Sequence, residues 1–236
     1  MFIFYLLALA TITLAQAQQI RTLAAKFDSV NTLVRDNKID KAQALKKLQD
    51  ILPELQTAYN RLKSDEARKE KWIFPVEGYS SKDIGGTHGE GYISNGYDYF
   101  DGNKHGGHPA HDIFINDKNQ DNKDDITGRF VNVRSVSSGI VVALEKYWDN
   151  ASSLRGGKYI YIYYPNDNAI FYYAHNNEVL VNVGQIINRG DTIATVGRTG
   201  LNAFKKRSPT HLHFMKLELD NKFYPKPVDT YQDLLK

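Results

Sequence analysis

The sequence predicts a mainly β, antiparallel domain behind an N-terminal α-helical hairpin, and three observations carry that expectation. Apolar residues recur at three- and four-residue steps from Gln18 to about Lys71, and the period stops at Trp72. Beyond it, short runs rich in Val, Ile, Tyr and Phe follow one another with no helical stretch between them. The chain has 236 residues, 42% hydrophobic and 12% aromatic, which is enough for one packed core of ordinary size plus an appendage.

The chain opens on MFIFYLLALATITLAQAQQ, an apolar run ending in Ala15-Gln16-Ala17, a small-x-small site of the secretory kind. Residues 1–17 are expected to be a signal peptide cut after Ala17. A retained anchor is the alternative, because no Lys or Arg precedes the apolar stretch. The run is short for a bilayer span, so no stable membrane anchor is expected.

Residues 18–71 form the hairpin. Ile20, Leu23, Phe27, Val30 and Leu33 make one apolar stripe, and Leu45, Leu48, Leu52, Leu55, Tyr59 and Leu62 make the other. RDNKID joins them, with Asp40 placed as an N-cap and Gln43 three residues on to complete a capping box. Pro53 is expected to kink the second helix or to start a new one. The stripes pack on each other, on a neighbour or on a second copy; a pro-segment that covers an active site is a further use of such a hairpin.

Residues 72–236 are the expected main domain. Residues 78–107 are rich in Gly, Tyr, Asn and Asp and form loops of a length that usually binds something. The strands are FVNVRSV, GIVVALEKYW, KYIYIYY, AIFYYAH, TIATVG and HLHFMKLEL, with PNDN at 165–168 turning the third into the fourth as a hairpin. Tyr159, Tyr161 and Tyr163 share one strand face, expected to be half-buried rather than a platform for stacking glycans.

The formal net charge of +3 is mild and the lysines are scattered, which argues against a nucleic-acid groove or a polybasic membrane patch. No cysteine is present, so disulfides, thiolate ligands and a lipid-modified cysteine are excluded. A metal would have to be held by His, Asp or Glu.

Six of the seven histidines fall from residue 105 onward: His105, His108 and His111 in KHGGHPAHDIF, His175 in FYYAHNN, and His211 and His213 in PTHLHFMKL. In a strand, His211 and His213 share one face while Leu212 and Phe214 take the other. His108 and Asp112 lie four apart, and an imidazole with a carboxylate suits Zn²⁺. A third ligand from a distant strand, such as His213, would give a three-ligand site with an open position for water, as in catalytic zinc. His111 competes with His108, although beside Asp112 it would face away if the segment is a strand. His105 and His88 are expected to be loop histidines, with substrate contact as the alternative.

NDKNQDNKDD at 116–125 invites a calcium site near Asp117, Asn119 and Asp121, which have the alternate spacing of an EF-hand start. The match fails further on, where Asn122 replaces the turn glycine and Gly128 the final glutamate. The options are a solvated acidic loop or a calcium site of another type.

HxxxD at 108–112, YAH at 173–175 and HLHF at 211–214 occur in the order found in the lysostaphin-type, or LytM-like, zinc metallopeptidases that cut peptidoglycan. VNVGQIINRGDTIATVGRTG also resembles that family's hairpin segment, V-x-x-G-Q-x-I-x-x-G-D-x-I-x-x-V-G-x-T-G. The resemblance covers roughly residues 74 to 227 and none of the hairpin. It implies a β-sandwich or hybrid-barrel peptidase domain, with His108, Asp112 and His213 as zinc ligands and His175 and His211 as the catalytic imidazoles. It also implies peptidoglycan stem peptides or bridges as substrate, in the periplasm or cell envelope. The family's Gly midway between the first His and the Asp is Ala110 here, which puts local backbone shape in question but removes no ligand.

Two other functions compete. A non-catalytic member would bind cell wall or activate another hydrolase through its helices, and such members typically lack ligands that are all present here. A lipoyl or biotin carrier is suggested by VGQIINRGDTIATVG and by Met215-Lys216-Leu217, but a carrier lysine stands at a hairpin tip whereas Lys216 lies mid-strand.

Overall fold

The computed structural model describes residues 2–62 and 71–236, with side chains from residue 14 on. Helix α1 is Phe2–Arg35 and α2 is Lys41–Asn60. α1 runs unbroken through Ala17, so the expected signal segment and the first hairpin helix are one element. The side chains of residues 1–13 of that segment, and residues 63–70 at the expected end of the hairpin, lie outside the described residues.

Asp40 caps α2, its Oδ1 accepting the Gln43 amide at 2.9 Å. Pro53 sits inside a helix that is continuous from Lys41 to Asn60 and so starts no new one. Its fixed φ is helical, and the helical bond it forgoes is outweighed by Leu48, Ile51, Leu52 and Leu55 burying around it.

Among the described residues ten strands follow: β1 His111–Phe114, β2 Asn132–Arg134, β3 Gly139–Glu145, β4 Tyr159–Tyr164, β5 Ala169–Ala174, β6 Glu178–Val179, β7 Ile186–Ile187, β8 Thr192–Thr195, β9 His211–Leu219 and β10 Pro225–Val228, then a short helix α3, Tyr231–Leu234. β4 and β5 form the expected hairpin, with Tyr164 paired to Ala169 around the turn. β1, β6, β7, β10 and α3, each of four residues or fewer, do not stand out as elements in the sequence. The large antiparallel sheet has the order β1-β9-β5-β4-β3-β7, and β10 lies beside β1 along the same edge of β9. A small sheet, β2-β8-β6, packs on one of its faces. The large sheet ends at β1 and β7, so the architecture is the sandwich of the two expected forms, without a closed barrel among the described residues.

Alternation along β9 divides the molecule into layers. Leu212 and Phe214 join Phe171, Ile193 and Ala194 in a core between the two sheets. Met215 and Leu217 face the other way, into a second core with Ile140, Tyr163, Phe27 and Leu52. The hairpin's apolar stripes are therefore covered by the chain's own sheet, and this core crosses the expected boundary at residues 71 and 72. Polar contacts fix α1 there: Asp28 Oδ1 accepts the Leu144 amide at 3.2 Å, Asn31 Oδ1 accepts from the Tyr99 hydroxyl at 3.0 Å, and Arg35 pairs with Glu145 at 2.9 Å. Under that cover Tyr159 and Tyr163 are buried and Tyr161 is half-buried, as expected of a sheet face. The helices cover β9 from Met215 onward and leave the sheet face before it for the histidines. Among the described residues no helix is long and apolar enough to cross a membrane.

Candidate metal centre

β9 carries His211 and His213 on the face opposite Leu212 and Phe214, and its neighbours supply the rest. β1 pairs with β9 so that Asp112 lies across from His213 and Phe114 across from His211. Directly opposed residues share a face, so the Asp112 carboxylate meets the two imidazoles. His111 is turned through the sheet by the same alternation. It is buried there with its Nε2 2.8 Å from Asp229 Oδ1 and its ring over Tyr92, and does not compete with His108.

His108 comes from the segment before β1, held by a reciprocal backbone pair with Ile93 at 2.7 and 2.8 Å. Its Nε2 lies 3.2 Å from Asp112 Oδ1, and His213 Nδ1 lies 3.1 Å from the same oxygen. The donor atoms of His108, Asp112 and His213 all lie within 4.8 Å of one another. Ala110, in the place of the expected glycine, is buried without keeping these side chains apart. His211 Nε2 is 3.7 Å from Asp112 Oδ2, and the His175 ring is centred 4.9 Å from that of His211 and 5.3 Å from that of His213.

His175 reaches this cluster through an unusual backbone. It follows β5 at φ +67°, a left-handed conformation rare for a residue with a side chain, and its amide donates to Gly156 O at 3.0 Å. Gly200 makes room for it. A Cβ at Gly200, itself at φ +116°, would stand 2.3 Å from Arg155 O and 2.9 Å from His175 Nδ1.

Backbone carbonyls orient three of the rings. Nδ1 of His108 meets Gly91 O at 2.8 Å, that of His175 meets Thr199 O at 2.8 Å, and that of His211 meets Pro209 O at 2.7 Å. A carbonyl only accepts, so each Nδ1 carries a proton and each neutral ring keeps its lone pair on Nε2. For His108 that lone pair points at an Asp112 oxygen, an arrangement that requires a proton or a cation between them. The donor set therefore fits a divalent metal of the zinc kind: two imidazoles and a carboxylate, with the His108 ring oriented from behind.

The electrostatics agree. Burial alone would raise the Asp112 carboxyl, but the hydrogen bonds to His108 and His213 outweigh it and hold it well below the usual carboxylate range. Burial lowers His213 to about 4, against the pull of Asp112. His175 is pushed well below the ordinary imidazole value by burial and then by the charges of His211 and His213. For His108 burial acts downward, but Asp112 prevails and raises it. Near neutral pH the site thus offers a cation the Asp112 carboxylate and the neutral ring of His213, while His108 gives up its proton when a cation takes its place beside Asp112.

The cluster lies in a cleft of about 200 Å³, with Arg155, Tyr172, Asn202 and Ser208 completing its wall. His105 stands at its rim, its ring against Tyr97, whereas His88 is exposed on its own loop. The acidic loop does not support the calcium expectation. Asp117 accepts the amides of Asp121 at 3.1 Å and Asn122 at 2.9 Å and the Thr210 hydroxyl at 2.6 Å, and Asp121 accepts the Lys123 amide at 2.9 Å. These carboxylates cap the loop's own backbone, and the one metal-capable group among the described residues is His108, Asp112 and His213. Sequence reasoning missed Arg155 and the carbonyls of Gly91, Thr199 and Pro209; a carbonyl has no residue-type signature.

No protein of curated function matches the chain. Among solved structures, the catalytic domain of the antimicrobial peptidase lysostaphin from Staphylococcus simulans is similar at 24% identity, over 56% of this chain and 81% of its own, with a TM-score of 0.39. A zinc-containing peptidase from Vibrio cholerae is similar at 21% identity, over 71% of this chain and 40% of its own, with a TM-score of 0.42. The sequence profile of peptidase family M23 matches residues 125–225, a segment that holds His175, His211 and His213 and begins after His108 and Asp112. Over that segment, which is under half of the chain, the sequence is similar to peptidase family M23.

Proposed function

We propose that the chain is an exported zinc metalloendopeptidase that hydrolyses peptide cross-links of peptidoglycan. The observation that carries this is the convergence of His108, Asp112 and His213 within 4.8 Å, beside two further imidazoles, in a chain whose residues 125–225 match a peptidase family. His108, Asp112 and His213 hold the metal. A zinc ion held there supplies Lewis acidity to the scissile carbonyl and to the attacking water. His175 and His211 turn their Nε2 atoms to the cleft, where the pair takes the proton of the attacking water and delivers it to the departing amine. The carbonyls of Thr199 and Pro209 keep both rings in the tautomer that can accept that proton. Burial and the neighbouring charges keep His175 unprotonated and ready near neutral pH.

Export is supported by the apolar opening run and its small-x-small end, and places the enzyme in the periplasm or cell envelope. Sequencing of the mature amino terminus is expected to begin at Gln18; a chain that keeps residues 1–17 in the cytoplasm would sink that part.

The peptidase proposal is tested by elemental analysis of the purified protein beside His108→Ala and His213→Ala, with release of soluble fragments from purified peptidoglycan in the same preparations. About one zinc per chain is expected, lost in both variants together with fragment release. A wild-type protein that binds no added zinc and releases nothing at neutral pH overturns the proposal and leaves a cell-wall-binding or hydrolase-activating role.

A further inference from the structure

A second recess, of about 60 Å³, opens beside the metal cleft and shares with it His105, Pro109, Arg155, Gly156, Tyr172 and His213. Tyrosines line its floor, among them Tyr97, Tyr99 and Tyr161, and α1 closes its far side with Asn31 and Arg35. Arg155 stands at the junction. Its backbone is fixed from both sides: its amide donates to Asn103 Oδ1 at 2.9 Å, and the Leu201 amide donates to Leu154 O at 3.0 Å. Its guanidinium donates through one Nη1 bond to the His105 carbonyl, and among the described residues no carboxylate pairs with it. Arg35, on the far side of the recess, is by contrast paired with Glu145 and Asp36.

A guanidinium carries five N–H donors in a planar fork that matches a carboxylate. One bond to a carbonyl leaves most of that fork for a ligand, and the cleft wall is where a substrate lies. The open question is which substrate group is anionic beside the scissile amide. The residue that donates the carbonyl has used its carboxyl to make the bond. A glycine that donates the nitrogen has its own carboxyl in the next peptide bond. A diamino dicarboxylic acid that donates its second amine keeps a free carboxylate on the same carbon, which a lysine donating its ε-amine does not.

We propose that Arg155 is a specificity residue that takes the free carboxylate on the substrate residue carrying the scissile nitrogen, and that the tyrosine-lined recess receives the rest of that residue. This rests on the peptidase function proposed above and narrows it. The enzyme is directed to direct cross-links through a diamino dicarboxylic acid and away from neutral glycine bridges and lysine-type links.

The test uses the amine-side product peptide in two forms, with the free carboxylate and with that group converted to carboxamide, titrated calorimetrically into the zinc-loaded full chain and into Arg155→Gln. Products are not consumed, so the measurement does not depend on turnover. Wild type is expected to bind the acid about 10- to 100-fold tighter than the amide, the range of a charge-assisted hydrogen bond, and Arg155→Gln to bind the two alike. Equal binding of both by wild type overturns the proposal. So does a variant that keeps the discrimination, or one that weakens acid and amide equally, as a disturbed cleft would. Hydrolysis of the intact cross-linked dimer is followed in parallel. Discrimination without hydrolysis leaves Arg155 a carboxylate-binding residue and sinks the peptidase function.

Discussion

Replacing Phe27 with alanine separates a hairpin that is part of the protein's core from one that is a detachable appendage. Phe27 is fully buried, and it joins α1 to a core that includes Ile140, Tyr163, Met215 and Leu217 of the large sheet. Truncating a buried phenylalanine costs about 3–5 kcal/mol, from lost transfer energy and the cavity left behind. In a domain of this size each kcal/mol lowers the unfolding midpoint by about 2–4 °C, so the shift expected is about 6–20 °C. Circular dichroism reads both parts at once, the helices in the far ultraviolet and the sheet's buried Tyr159, Tyr163 and Tyr173 in the near ultraviolet. Both signals are expected to move together in one transition. Lys26→Ala, one residue away on the exposed side of α1, is the control, expected to stay within about 0.5 kcal/mol of wild type. A lost helical signal with the tyrosine transition unmoved would refute the shared core and restore the hairpin as a separable pro-segment.

Further predictions concern the site. Gly200→Ala is expected to retain zinc while hydrolysis falls by about 10- to 100-fold, because the new Cβ meets His175 Nδ1 and Arg155 O but no metal ligand; zinc loss in step with activity would show a wider disturbance. Acidification of the chelator-treated protein is expected to lower its unfolding midpoint. His213, at about 4, and His175, also lowered, are bare in the folded chain, whereas an unfolded histidine takes up its proton near pH 6.5. Their contribution is complete above about pH 6.5 and is lost as the pH falls through the folded values. His108, raised, acts in the opposite sense, its contribution present below about pH 6.5 and lost as the pH rises through its folded value. Two rings oppose one, so a midpoint that climbs between pH 7 and 4.5 would contradict the assignment. Loss of zinc affinity over the same interval is expected too, because protons and metal compete for the same nitrogens, and metal titrations at several pH values measure it.

The sequence by itself determined the helical hairpin, six of the strands and the pairing of His211 with His213 on one face, because each rests on a local period of 3.6 or 2 that tertiary packing had no reason to override. It also singled out His108, Asp112, His175, His211 and His213, whose residue types carry chemistry wherever they lie. Only the tertiary structure decided that they meet. Asp112 faces His213 because β1 pairs with β9 in one register, and His111 is sent through the sheet by the same register. His175 reaches them through a left-handed turn that no pattern of residue types announces. The short strands β1, β6, β7 and β10 exist by pairing alone, and the two apolar stripes of the hairpin did not say which surface they would cover. The calcium expectation failed for a related reason, since Asp117, Asn119 and Asp121 have a ligand's spacing but the fold turns Asp117 and Asp121 onto backbone amides. Spacing along the chain is a local property, whereas a site depends on which faces the long-range pairings bring together, and that is set by burial of the whole core.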